Sequence, residues 1–463
     1  MAKDLVESIS GIRGIVGTGL TPQFVVNYVT AFAHWVDGPR VVVGRDSRQH
    51  GLLIRQLVIA TLRAKGIEVC DIGITPTPTA QLMTEQLTAD GGIMITASHN
   101  PEQWNGLKFI SADGMFLNAD QVTELFEILR NGEFTFQEWD QIGDVREIHG
   151  AINEHIESVV DLSLIDTEKI AEKNYKVVID AVNGAGSIAL PALLEELGCE
   201  VLPINCIPNG RFPHEPEPLP ENLTQLREEV KKQGADLGIV VDPDADRCGL
   251  VDENGEYLVE EYTLAMAVDG VLSYLQEHNP SQLNKPVVTN LSTTLAVDKV
   301  AEKYGVEVIR TPVGEINVAA KMAETDALIG GEGNGGVILA ESHLGRDSLV
   351  ASALVLQRLT DLDMSIREYF DSLPYFVMSK QKIEIGDSNP DAVLEQMQHQ
   401  NGGAEIDTQD GVKLTWSDQW VHIRKSNTEP IVRVYAEAGN REQADELAHQ
   451  YIEKIEGMLG QEI

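Results

Sequence analysis

Three times along the chain a short β-branched run that hardly alternates is followed by a helical stretch that ends at glycine and then by a second β-branched run. The first copy reads PRVVVGRDSR, a helix predicted over Leu52 to Lys65, and GIEV from Gly66. The second reads YKVVIDAVNGAG, a helical stretch around Leu190 to Leu197, and GCEV from Gly198. The third reads KPVVTNLSTT, a helical stretch over Leu295 to Tyr304, and GVEV from Gly305. This is the pattern of a βαβ crossover with glycine as the helix C-cap. Strands apolar on both faces belong to mixed, mainly parallel sheets covered by helices, so the fold class is α/β.

Each copy continues to one further strand with a polar end: GGIMITASHNP from Gly91, ADLGIVVDPDADR from Ala235 and DALIGGEGNGG from Asp326. Ligands gather beyond the carboxyl ends of such strands, so the three endings are expected to face one cleft. From about Met378 the pattern changes. KQKIEI, a helix over Asp391 to His399, strands around Gly411 to Leu414 and Trp420 to Arg424, IVRVYAEA and a helix over Arg441 to Leu459 predict a separate α+β unit. The expected domains are 1–150, 151–255, 256–370 and 371–463. The Pro-rich stretch Pro208 to Pro220 reads as a long surface loop within the second copy.

Charge narrows the chemistry. Among 463 residues, 35 Lys and Arg stand against 73 Asp and Glu, a net charge of −38. Nucleic acid and anionic lipid are thereby disfavoured as partners, and an anionic substrate needs a local cluster of Arg and Lys. If the acidity is an adaptation to a salty cytoplasm, stability should rise with salt. Cys70, Cys199, Cys206 and Cys248 are scattered and contain no C-x-x-C pair, which predicts core residues and neither disulfides nor a thiolate metal site. His34, His155 and His422 read as structural or surface residues and not as ligands. The acidic start MAKDLVESIS is unlike a signal peptide and no stretch approaches 18 uncharged apolar residues, so a cytoplasmic protein without membrane contact is expected.

The strand endings carry the candidate chemistry. In T-A-S-H-N-P, Ser98 directly follows a buried strand and is a candidate nucleophile or phosphate carrier; a turn bonded by its own hydroxyls is the plainer account of the same residues. The adjacency of Ser98 and His99 is not expected to make a triad, because neighbouring side chains on a turn seldom face each other and no G-x-S-x-G elbow is present. In D-P-D-A-D-R, the alternating Asp242, Asp244 and Asp246 can converge on a hard cation, Mg²⁺. A calcium loop is opposed by Arg247 where glycine is required and by a preceding strand where a helix is required. G-G-E-G-N-G-G has Glu332 and Asn334 as its only functional side chains, suited to vicinal hydroxyls, and reads equally as a mobile glycine turn. R-K-S-N-T-E-P, from Arg424 and followed by Arg433, is a candidate dianion site. Arg13 in S-G-I-R-G is either an anion contact or part of a plain strand and loop.

A serine, a cation cage, a hydroxyl-reading loop and a dianion site describe phosphoryl transfer to a sugar phosphate. On these four motifs, with N-G-L-K at Asn105 to Lys108, the chain resembles the α-D-phosphohexomutase family over essentially its whole length. The resemblance implies three similar α/β domains and a smaller TATA-binding-protein-like fourth around a central cleft. It also implies reversible interconversion of hexose 6-phosphate and hexose 1-phosphate through a phosphoserine at Ser98 and a hexose 1,6-bisphosphate. Mg²⁺ would be held by Asp242, Asp244, Asp246 and a Ser98 phosphate oxygen. Lys108 and Arg247 would lie near the reacting phosphate, and His99 would support the serine loop. Glu332 and Asn334 would read the sugar, while Arg424, Ser426, Asn427, Thr428 and Arg433 would grip the other phosphate. Three positions depart from glucose- and mannose-type branches: Gly336 and Glu315 stand where histidines are common, and Lys425 where proline is. The acid/base is therefore sought at Lys108, with Glu332 and His343 as alternatives, and the sugar loop looks more like branches acting on glucosamine phosphates than on glucose or mannose phosphates. A silent sugar-phosphate sensor on the same fold is the non-enzyme alternative, and a monomer or homodimer is expected.

Overall fold

The computed structural model describes residues 5–132, 134–385, 389–399, 402–425 and 431–459. The three repeats fold alike. In the first, Arg40–Arg45 pairs in parallel with Glu68–Ile74 on one side and Gly91–Ile95 on the other, and Gly91–Ile95 turns back into antiparallel Trp104–Ser111. The second repeats this order with Lys176–Asp180 between Glu200–Ile204 and Leu237–Val241, then antiparallel Cys248–Asp252. The third has Val287–Asn290 between Val308–Thr311 and Ile329–Glu332, then antiparallel Gly336–Leu339. The crossover helices, Gly51–Ala64, Gly186–Glu196 and Leu295–Lys303, fall where the apolar periodicity places them within a few residues. Each ends at a left-handed glycine, with φ of +83° at Gly66, +78° at Gly198 and +71° at Gly305, a conformation that costs a residue with a Cβ about 1–2 kcal/mol.

The returning antiparallel strand of each unit is a feature the periodicity does not reveal. Its effect is to turn each polar ending into the tip of a hairpin, which limits how far the loop can wander. The first sheet is extended to seven strands by Leu5–Ser8 and Gly11–Ile15 at one edge and Val145–Glu147 at the other.

Behind the second and third sheets runs one continuous apolar core, from Val177 and Ile239 through Leu264 and Val268 to Val300 and Leu354. Helix Glu261–His278 and helix Ser348–Leu362 join it from the third unit, and the latter packs against Ala151–Val160, Thr167–Lys173 and Gly186–Glu196. The last unit is a five-stranded antiparallel sheet backed by Pro390–Gln398 and Arg441–Leu459. It includes a short strand, Glu405–Asp407, that the sequence pattern does not mark. The four cysteines are free, with Cys70 and Cys248 buried. No helix of the described residues is long and apolar enough to cross a membrane.

Candidate active site

The three polar endings meet. A cleft of about 640 Å³ is lined by Ser98, His99 and Lys108 from the first sheet, Arg247 from the second, Glu332 and Asn334 from the third, and Arg424 and Arg433 from the fourth.

Ser98 is 7% exposed and lies in the left-handed region at φ +48°, a strain of about 1–3 kcal/mol that persists only when its surroundings hold it. They do. Arg48, wholly buried, donates to the carbonyls of Ser98 and Asn100 at 2.6 Å, Pro101 at 2.7 Å and Trp104 at 3.1 Å. Asp46 holds Arg48 Nε at 3.0 Å and accepts from the Thr96 hydroxyl at 2.7 Å, and Thr96 in turn accepts from the Ser98 N–H at 2.9 Å. The G-R-D-S-R ending of the strand before the crossover thus builds the serine loop. It is a fourth polar strand ending, and reading it as such would have found Asp46 and Arg48. The Pro-rich loop is more than surface. Phe212 covers the Arg48 guanidinium at 4.9 Å, and Glu217 to Leu219 reach the cleft.

The Ser98 hydroxyl donates to Asp242 Oδ2 at 2.9 Å and lies 3.3 Å from His99 Nδ1. These neighbours do face each other, with Ser98 in left-handed backbone. It remains a pair and not a triad, since among the described residues no carboxylate hydrogen-bonds His99. The Arg247 guanidinium, then burial, then Arg13 hold the imidazole well below its ordinary pKa, so it is neutral at neutral pH.

Asp242, Asp244 and Asp246 follow the strand Leu237–Val241, and all three are wholly buried with carboxylate oxygens within 4.8 Å of one another. Two unit charges 4 Å apart interact by about 4 kcal/mol at an effective dielectric of 20, so this convergence needs compensation. Lys108 bridges Asp244 at 2.8 Å and Asp246 at 3.1 Å, and Arg346 reaches Asp246 at 2.7 Å. Burial works against the Lys108 charge, but Asp244 and Asp246 more than reverse it and raise its pKa. Asp242 moves well above the usual carboxylate range through burial and the neighbouring Asp246 and Asp244. Asp244 Oδ1 and Asp246 Oδ1 are buried without a hydrogen-bond partner among the described residues. Three carboxylates with two unpartnered buried oxygens and a hydroxyl alongside are a hard oxygen donor set, and they fit a divalent cation.

At the sugar loop, Glu332 is 3% exposed and both its oxygens are engaged: Oε1 with Asn290 at 2.7 Å and the Gly314 N–H at 3.0 Å, Oε2 with Arg346 at 2.8 Å and Asn334 at 3.3 Å. The loop is thus anchored at its Glu332 end by four hydrogen bonds. Its glycines make room, since a Cβ on Gly333 would stand 1.8 Å from Glu261 Oε2. Glu261 lines the cleft beside Glu260 and Lys380, which spans to them at 3.4 and 3.0 Å from the fourth sheet. Burial pushes the Glu261 carboxyl up to about 8. Neither Arg346 nor this trio belongs to a motif singled out in the sequence.

Cationic groups stand on separate walls. Arg13 reaches Asn100 Oδ1 at 3.1 Å, and among the described residues Arg247 has only distant carboxylates, Glu217 at 3.7 Å and Asp246 at 3.9 Å. On the fourth sheet, Arg424 has Asp410 at 3.9 Å and a buried Nε with no hydrogen-bond partner among the described residues, while Arg433 donates to the Tyr435 hydroxyl at 3.1 Å. Ser426, Asn427 and Thr428 lie outside the described residues. Lys425, where proline is common, pairs with Asp391 at 2.7 Å. The fourth sheet docks on the third unit through His422 Nδ1 and the Ser292 hydroxyl at 2.8 Å and through Glu437, which accepts from the Leu295 N–H at 2.8 Å. His343 is not on the cleft. It is buried with His155 against Asp347, at 3.2 and 2.7 Å, which removes it as an acid/base.

Domains I, II and III of the phosphoglucomutase/phosphomannomutase α/β/α series match residues 7–136, 153–255 and 264–376, and the C-terminal domain matches 377–454. A phosphoglucomutase/phosphomannomutase of Thermococcus kodakarensis is 38% identical, covering 97% of this chain and 98% of its own. A probable phosphoglucosamine mutase of Methanopyrus kandleri is 36% identical, covering 96% of each. Among solved structures, a phosphoglucomutase/phosphomannomutase family protein of Burkholderia thailandensis superposes with a TM-score of 0.85 at 25% identity, over 99% of this chain and 97% of that one.

Proposed function

Because the chain belongs to the phosphoglucomutase/phosphomannomutase family, we propose that it interconverts hexose 6-phosphate and hexose 1-phosphate through a phosphoserine at Ser98, with glucosamine phosphates as its substrates. The observation that carries this reading is the Ser98 hydroxyl, 2.9 Å from Asp242 of the carboxylate cage, in one cleft with the guanidiniums of Arg424 and Arg433.

In the forward step a sugar hydroxyl oxygen attacks the phosphorus of phosphorylated Ser98. The P–Oγ bond breaks, the proton given up by the sugar hydroxyl is balanced by the one Oγ takes up, and the sugar leaves the step as a 1,6-bisphosphate. After the bisphosphate turns over in the cleft, Oγ gives up its proton and attacks the other phosphorus, the sugar O–P bond breaks, the freed sugar oxygen takes up a proton, and the monophosphate product leaves a rephosphorylated Ser98. Asp242, Asp244, Asp246 and a phosphoserine oxygen would hold Mg²⁺, which would supply charge compensation for the transferring group. Lys108, kept charged by Asp244 and Asp246, faces that group as a hydrogen-bond donor and acid, with Arg247 beside it. His99, neutral and 3.3 Å from Oγ, is suited to accept a proton there. Arg424 and Arg433, with Ser426, Asn427 and Thr428, take the phosphate that is not reacting, and Glu332 and Asn334 the sugar hydroxyls.

The sugar assignment rests on Glu315 and Gly336, where other branches carry histidine. Glucose or mannose phosphate is the second reading, favoured by the name of the 38% identical relative. Mutase rates on glucosamine, glucose and mannose phosphates, with Mg²⁺ and a trace of the matching bisphosphate, separate the two. A kcat/KM at least tenfold higher for the amino sugar is expected; preference for a neutral sugar selects the second reading, and no turnover of any of them overturns the mutase.

A further inference from the structure

Glu315 and Gly336, two positions that depart from the histidine-bearing branches, meet at a single side chain. Arg346 is 6% exposed, and each nitrogen of its guanidinium takes a different carboxylate: Nε to Glu315 at 3.1 Å, Nη1 to Glu332 at 2.8 Å and Nη2 to Asp246 at 2.7 Å. Its backbone N–H donates to the other Glu315 oxygen at 3.1 Å. A Cβ on Gly336 would stand 2.2 Å from Arg346 Cδ, so the arm of the arginine fills the space that a side chain at 336 would need. Its backbone is fixed from behind. Asp347 caps helix Ser348–Leu362 through the Leu349 N–H at 2.8 Å and is held by His155 and His343, while the Ser348 hydroxyl donates to the carbonyl of Ala245 at 2.7 Å, inside the aspartate loop.

We propose that Arg346 is a positioning residue that locks the sugar loop to the cation loop, setting both the place of Glu332 and the net charge of the aspartate cage. A fork with all three nitrogens committed has no rotational freedom, so Glu332 cannot shift without moving Asp246. The guanidinium also contributes a fixed positive charge beside a cation ligand. It therefore weakens cation binding electrostatically while it orders the acceptors that a sugar phosphate meets, and the two effects have opposite signs. This inference rests on the phosphohexomutase reading for its ligand, and its cation half stands without that reading.

The test uses the full-length chain carrying Ser98→Ala, so that nothing turns over, with titration calorimetry of Mg²⁺ alone and of glucosamine 6-phosphate alone. Arg346→Met in that background is expected to bind Mg²⁺ at least threefold more tightly and glucosamine 6-phosphate at least tenfold more weakly. Arg346→Lys, which keeps the charge and loses the fork, is expected to leave Mg²⁺ binding within twofold and to weaken the sugar phosphate. General damage to the fold would weaken both ligands together, and that result, or no change in either, overturns the proposal. If Arg346→Met does not fold, Arg346→Lys decides alone: an unchanged sugar-phosphate affinity, or a shifted Mg²⁺ affinity, rejects it. Should the Ser98→Ala parent bind Mg²⁺ but no hexose phosphate, the functional reading fails and the Mg²⁺ comparison still judges Arg346.

Discussion

Arg48 and Asp46 form an ion pair at 3.0 Å with neither side chain exposed to solvent, and the four carbonyls that Arg48 holds belong to the loop bearing Ser98. Replacing Arg48 by Met strands the Asp46 carboxylate, and losing one partner of a buried pair costs about 3–5 kcal/mol. Urea denaturation followed by a probe in the first unit should show that loss. Activity should fall further than stability explains, because the left-handed turn at Ser98 is no longer enforced.

Ser98→Ala should reduce turnover by about 10³-fold or more, with sugar-phosphate affinity by calorimetry within a few fold of the parent. Retained turnover would assign the chemistry to another group. Loss of binding alone, with no phosphoserine detectable by intact mass in the parent, would favour the sensor.

Removing divalent cations with a chelator should stop phosphoryl transfer, and adding Mg²⁺ back should restore it. A ligand that binds only the folded state at 100 times its Kd stabilises by about 2.7 kcal/mol, so the melting temperature of the chelated protein should rise with Mg²⁺. In Asp242→Asn that rise should be much smaller.

Burial, and secondarily Glu260 and Glu437, push the Glu261 carboxyl from its ordinary value near 4.5 up to about 8, against the opposing pull of Lys380. The folded state therefore holds a proton that the unfolded chain has released between those two values, and the group subtracts stability as pH rises through this window. Glu261→Gln should melt at the same temperature as the parent near pH 4.5 and progressively higher than it toward pH 8. Parallel melting curves across that range would place the Glu261 pKa in the ordinary carboxylate range.

Lys380 ties the fourth sheet to Glu260 and Glu261 across the cleft mouth. Binding of a sugar phosphate between Arg424 and Arg247 should draw the fourth unit inward and reduce the radius of gyration in solution scattering. Superimposable profiles with and without ligand would remove closure.

The parts of this architecture that repeat were legible in the sequence, because a strand buried on both faces and a helix that stops at Gly66, Gly198 or Gly305 leave a local signature. The aspartates were legible too, since alternation at 242, 244 and 246 is itself the geometry of a cage. What sequence reasoning could not reach were contacts between repeats. Arg346 lies a hundred positions from Asp246 and joins no short motif, and Glu261 is unusual only because Gly333 and Lys380 bury it. His343 misled because a histidine near a glycine loop resembles an acid/base until Asp347 and His155 are seen to enclose it.

The core shared by the second and third units bears on how the chain is made. Helix Ser348–Leu362 closes the apolar face formed by Ala151–Val160, Thr167–Lys173 and Gly186–Glu196. At about 5–20 residues per second of synthesis, the second unit leaves the ribosome several seconds before the helix that covers it. Until then its leucines face water, and the growing polypeptide carries an exposed apolar surface that invites chaperones or its own neighbours on the same message.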